Sequence, residues 1–259
     1  MGRGGLGRWL GLAGRERPLA GAAARREWAT TAALIAALLA YANGGAWLAT
    51  RREQELAMGV NLAHLAMLGL SLGWAAVERL GLRALGLGSQ GWLRSLGWGL
   101  VVGLLGALLI RLFFTFPLVS REAVTVPEFR GLSRARLLWL LGGQFLLGSA
   151  VFEEVAFRGL LHAKLVRLLG AGRALLAGSA VFAAWHLVIT WHNLRRSNLP
   201  RPLFPLLYIG ALGALFSGGL LFGLLRQATG HLVGSILAHW LMVASIVLAV
   251  ARPRQGARA

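Results

Sequence analysis

Two adjacent glutamates, Glu153 and Glu154, sit in the stretch "AVFEEVAFRGLL" (150–161), which otherwise reads as apolar helix. A carboxylate inside a membrane helix costs at least about 2.5–3.5 kcal/mol unless it faces a partner or a wet cavity. Arg158 follows Glu154 by four residues, the better orientation for an ion pair along a helix. Glu153 points about 100° away on an α-helix and needs another partner. A competing reading ends the helix here and leaves both acids wet, because His162, Lys164 and Arg167 come soon after.

Histidines on two other apolar runs are the candidate partners. His186 lies in "AVFAAWHLVITWH", with Phe182 four residues earlier on the same face, and His239 lies inside "GSILAHWLMVASIVLAV". His192 and His231 stand at run ends, where an interfacial or capping role is expected, and His64 has no evident acidic partner. One carboxylate and two imidazoles can do chemistry in two ways. The carboxylate can act as general base on water while the histidines polarise a carbonyl or hold its oxyanion. Alternatively, Glu153, His186 and His239 can ligate zinc or another divalent metal, with a metal-bound water as nucleophile. Spacing alone does not choose between them, so the cofactor is either a divalent metal or none.

The elements that must carry these residues follow from composition. Of 259 residues, 57% are hydrophobic and 14% charged, against about 25% charged in a soluble domain. Runs of about 20 apolar residues recur, so the expected class is all-α, a polytopic transmembrane bundle of about 7–8 spans. Spans are predicted at 28–50, 56–77, 97–116, 135–157, 173–191, 203–226 and 230–251. An interfacial helix is predicted over 78–96, and a long polar connection with Pro117 and Pro127 over 114–136. Residues 1–27 read as a basic tail, disordered or interfacial, and 252–259 as a second one. The single domain is 28–251, with its catalytic core at about 135–251. In "FSGGLLFG", Ser217, Gly218, Gly219 and Gly223 predict close helix approach or a broken helix.

The chain has no cysteine and no aspartate, and its net charge is +18. Thiol, disulfide and paired-aspartate chemistries are thereby excluded. Neither H-E-x-x-H nor G-x-S-G occurs. Arginines in the tails and loops fit membrane topology and anionic lipid headgroups rather than nucleic acid. The expected setting is a cell membrane of the bacterial inner-membrane kind.

"EEVAFR" (153–158), "FAAWH" (182–186) and "HWLMV" (239–243) follow E-E-x-x-x-R, F-x-x-x-H and the place of H-x-x-x-N, in that order. In these motifs the chain resembles the CPBP family, the CAAX proteases and bacteriocin-processing proteins also called Abi, over roughly residues 80–250. The resemblance implies an intramembrane endopeptidase acting on a membrane-associated protein or peptide, a CAAX protein or a maturing bacteriocin. It implies that Glu153 activates water with His186, that His239 helps hold the oxyanion, and that Glu154 and Arg158 orient Glu153 or lock the helix. The family is commonly labelled metalloprotease. Val243 departs from the pattern, standing where the family has asparagine; Asn193, Asn198 or Ser245 are the substitutes at hand for the missing oxyanion donor. Other classes remain open: a non-catalytic scaffold or self-immunity protein, which Val243 favours, or an ion or proton transporter using buried Glu and His as a relay.

Overall fold

A computed structural model describes residues 19–52, 59–115, 124–126, 129 and 131–251. Residues 1–18 of the predicted tail 1–27, the tail 252–259, and Pro117 and Pro127 lie outside the described residues. The described residues are helical, with no strand among them. α1 (Gly21–Leu48) opens the bundle, followed by α2 (Gly59–Val77) and a single turn, α3 (Leu82–Leu85). α4 (Trp92–Thr115) leads to the longest element, α5 (Arg134–Leu169). α6 (Ala171–Trp185) and α7 (Leu187–Arg196) form a pair bent by 44°; α8 (Phe204–Thr229) and α9 (Val233–Val250) complete the order.

Among the described residues five helices are long and apolar enough to cross a membrane, or six if the bent pair is one span. The sequence predicts 7–8; α2 corresponds to the span expected at 56–77, whose first residues lie outside the described ones, and the run expected at 173–191 is bent at His186. The interfacial helix expected over 78–96 reduces to the turn of α3, and α4 starts at Trp92 rather than near 97. The tail boundary also moves, since helix begins at Gly21. α8 is unbroken; its Gly219 and Gly223 do lie close against Ser179 and Leu175 of α6, whereas Ser217 is exposed and donates to the Gly213 carbonyl of its own helix.

The bundle shows lipid-type surface outside and small residues at its seams. Leu100, Val101, Leu104, Leu105, Leu108 and Leu109 of α4 are exposed, as a helix in hydrocarbon requires. The opposite face of α4 packs along α9. A Cβ on Gly99 would run into the Gly234 backbone, and one on Gly103 would come within 2.9 Å of the Ala238 Cα. Small residues at such a seam let two backbones approach where no hydrophobic force drives them together. Ser95 Oγ accepts from the Gly234 N–H at 3.0 Å and donates to the His231 carbonyl at 2.8 Å, fixing the entry to α9. His231 takes the capping role expected of it: its Nδ1 accepts from the Val233 N–H at 3.0 Å.

The helix carrying Glu153 does not end at Arg158. α5 continues to Leu169, and Lys164, which read as the start of a wet segment, is fully buried. Its ammonium meets Glu27 of α1 at 3.2 Å, Glu78 just past α2 at 2.6 Å and the Thr30 hydroxyl at 2.9 Å. One cation therefore ties three elements through acids that would otherwise repel. Removing one partner of a buried pair leaves uncompensated charge, a loss of about 3–5 kcal/mol. Lys164→Met is expected to lose stability near the lower end of that range, since both glutamates keep slight exposure. Thermal unfolding in detergent measures it, and adding Glu78→Gln to the variant is expected to restore part of the loss.

Candidate active site

α5 departs from α-helical winding where the glutamates lie. Leu140–Val151 and Glu154–Leu161 are wound as π-helix, the wider i→i+5 form that occurs at functional sites. The Leu141 carbonyl in this stretch accepts from the Trp240 indole N–H at 2.8 Å. That bond holds α9 against α5 one residue from His239.

Glu154 is completely buried, and its partners come from two helices. Oε1 accepts from Arg158 Nη1 at 2.9 Å and from His239 Nδ1 at 3.0 Å. The along-helix pair expected from the sequence is present. The bond to His239 was not expected; spacing within α5 carries no information about α9. Arg158 stacks its guanidinium over Phe182 at 4.0 Å and approaches Phe222 at 5.3 Å. His239 lies nearly parallel to the Phe222 ring, with centroids 5.1 Å apart. Such cation–π and stacking contacts orient charged and polar rings inside an apolar wall.

Glu153 is also buried, 5% exposed, and points elsewhere. Its Oε1 accepts from the Ser149 hydroxyl at 2.8 Å. Its Oε2 makes no direct hydrogen bond and stands 3.9 Å from His186 Nε2 and 3.9 Å from His239 Nε2. Tautomers follow from the other ring nitrogens. His186 Nδ1 is 2.9 Å from the Phe182 carbonyl, which only accepts, so Nδ1 carries the proton. His239 Nδ1 likewise donates to the Glu154 carboxylate. In the neutral form of each ring, both Nε2 atoms are bare and aimed at one carboxylate oxygen. A 3.9 Å gap is too long for a direct hydrogen bond and short enough for one water to reach both atoms.

The three groups expected to form a site are thus brought together, with both histidines within one water of Glu153. They fit a zinc less well. Bonds of about 2.0–2.1 Å in a tetrahedron hold ligand atoms about 3.3–3.4 Å apart, closer than these. Among the described residues no group of three or more acidic or imidazole side chains is arranged to hold a metal ion.

Of the substitutes for the asparagine that Val243 replaces, two are committed elsewhere. Asn198 Oδ1 accepts from the Thr125 N–H at 2.9 Å, and the Ser245 hydroxyl donates to the Ala107 carbonyl at 3.0 Å. Asn193 lies near the end of α7, about two turns beyond His186. His64 stacks on Phe152, centroids 5.3 Å apart, and also meets Tyr41 edge-on. Sequence reasoning missed Ser149, although its i−4 spacing from Glu153 was a readable signal. It also missed Phe222 and Trp240, for which nothing local gave one.

No curated protein matches the chain, and no solved structure does. A family model does match, described as type II CAAX prenyl endopeptidase Rce1-like, over residues 135–245. That stretch runs from the start of α5 into α9 and contains every residue of the site just described. Over this segment the chain is similar to the Rce1-like family of proteases, and its several long apolar helices are those of a multi-pass membrane protein.

Proposed function

We propose that the protein is an intramembrane endopeptidase that cleaves a membrane-associated protein or peptide with a water activated by Glu153 and His186. The observation that carries this reading is the buried Glu153 Oε2, without a direct partner, facing two imidazole nitrogens at 3.9 Å each.

Chemistry follows from the donors and acceptors. A water between Glu153 Oε2 and His186 Nε2 gives one hydrogen to each, which turns an oxygen lone pair toward a bound carbonyl. As that oxygen adds to the carbonyl carbon, its proton passes to Glu153 Oε2, a general-base step worth about 10²–10⁴ in rate. The proton then goes to the departing amide nitrogen as the C–N bond breaks, leaving a carboxylic acid and an amine. Ser149 keeps the other carboxylate oxygen in place throughout. Glu154 holds His239 by Nδ1 as a carboxylate holds the histidine of a serine-protease triad. With a proton on Nε2, balanced by Glu154, His239 becomes a donor to the developing oxyanion.

A CAAX-type prenylated peptide and a hydrophobic leader peptide are the two substrate classes to try. Glu153→Gln preserves shape and the Ser149 contact but removes the base. It is expected to lower kcat by about 10²–10⁴ with KM little changed, read on purified protein in nanodiscs with a fluorogenic peptide of each class. Activity that persists in this variant overturns the assignment. Inert wild-type protein, with a Glu153→Gln strain behaving as wild type, favours the scaffold reading.

Val243 generates a second expectation. It lies one turn beyond His239 on α9 and cannot donate a hydrogen bond. One oxyanion donor is worth about 10²–10³ in rate. Val243→Asn is therefore expected to raise kcat, toward that range if the amide reaches the oxyanion, in the same peptide assay.

A further inference from the structure

His186 stands at a break in its helix, and a side chain from a distant helix fills that break. In an uninterrupted α-helix the Val188 N–H donates to the Ala184 carbonyl, four residues back. Asn43 of α1 reaches both groups. Its Nδ2 donates to the Ala184 carbonyl at 3.0 Å, and its Oδ1 accepts from the Val188 N–H at 3.0 Å. The primary amide thus bridges the donor and acceptor that unbroken helix would join directly, and His186 lies midway between them. A side chain inserted into the ladder is one of the few physical causes of a sharp helix bend. α6 and α7 bend by 44° at this point. His186 has φ −96° and ψ 5°, the sparsely populated bridge region where many active-site residues sit.

We propose that Asn43 is a positioning residue for His186, a wedge that sets the α6–α7 bend and so aims Nε2 at Glu153. The importance of that aim rests on the proposed peptidase reading; the wedge itself does not. Only a side chain with a donor and an acceptor about as far apart as in a peptide can bridge both groups at once, and asparagine is the shortest that does. A second bond from Nδ2, to the Leu39 carbonyl at 3.2 Å, anchors the amide to its own helix. Asn43 itself lies in a π-turn, Ala40–Gly44, within α1. Without the amide, Val188 and Ala184 can rejoin, the helix straightens, and the imidazole swings from Glu153.

The chain has no cysteine, so a pair introduced at exposed positions, Leu176→Cys on α6 and Arg195→Cys on α7, takes spin labels at those sites alone. Asn43→Leu keeps the side-chain size and removes both bonds; Asn43→Asp keeps the acceptor and loses the donor. In nanodiscs, Asn43→Leu is expected to lengthen the label-to-label distance, with Asn43→Asp shifting it less. In the unlabelled protein, Asn43→Leu is expected to lower kcat about 10–100-fold, as a misplaced catalytic group does, with KM within about twofold. An unchanged distance overturns the wedge. A longer distance with unchanged kcat overturns the positioning role. If the wild-type protein cleaves none of the peptides, the peptidase reading fails, and the distance still decides whether Asn43 sets the bend. Should Asn43→Leu not fold, Asn43→Asp alone carries both measurements with the same directions.

Discussion

A carboxylate that no solvent reaches has to find its partners in the protein, and Glu154 organises the site by doing so. Its Oε1 takes Arg158 from its own helix and His239 from α9. Desolvating an ion at membrane depth is costly, and the cost is offset only by good geometry and further hydrogen bonds. Those requirements fix the helices. Arg158 must lie against Phe182 and Phe222, which sets α6 and α8 around it, and His239 must present Nδ1 to the acid, which sets the rotation of α9.

The same logic separates two neighbours in the sequence. Glu153 and Glu154 differ by one position and so leave the helix in different directions. Glu154 meets a cation and an N–H donor. Glu153 meets a hydroxyl on one oxygen and two bare imidazole nitrogens at water distance on the other. Each carboxylate keeps one oxygen without a direct hydrogen bond, and what separates them is that the free oxygen of Glu153 faces two imidazole nitrogens at water distance.

Local spacing made part of this legible. The Glu154–Arg158 pair follows from i,i+4 geometry, and the divergence of Glu153 follows from helical winding. The convergence of His186 and His239 on Glu153 was readable only as a pattern of rare polar residues in apolar runs. What depended on helix–helix register was not legible: the His239–Glu154 bond, the ring of Phe222 and the Trp240 tie. Lys164 was misread for a physical reason. A basic residue after an apolar run usually marks a membrane boundary, but here Glu27 and Glu78, from two other elements, neutralise it inside the bundle. Hydropathy registers the apolar run at 173–191 and does not detect the break that His186 introduces.

The two histidines that face Glu153 are mounted differently. His239 sits within a continuous helix, held by a buried carboxylate on one side and a stacked ring on the other. That mounting preserves one ring orientation. His186 sits at a bend, its Nδ1 tied to the Phe182 carbonyl of its own preceding turn, with no carboxylate on that side. A neutral carbonyl partner fixes the tautomer without stabilising a full charge. In their neutral forms both rings therefore present a bare Nε2 to the same Glu153 oxygen, one from a bend and the other from a continuous helix.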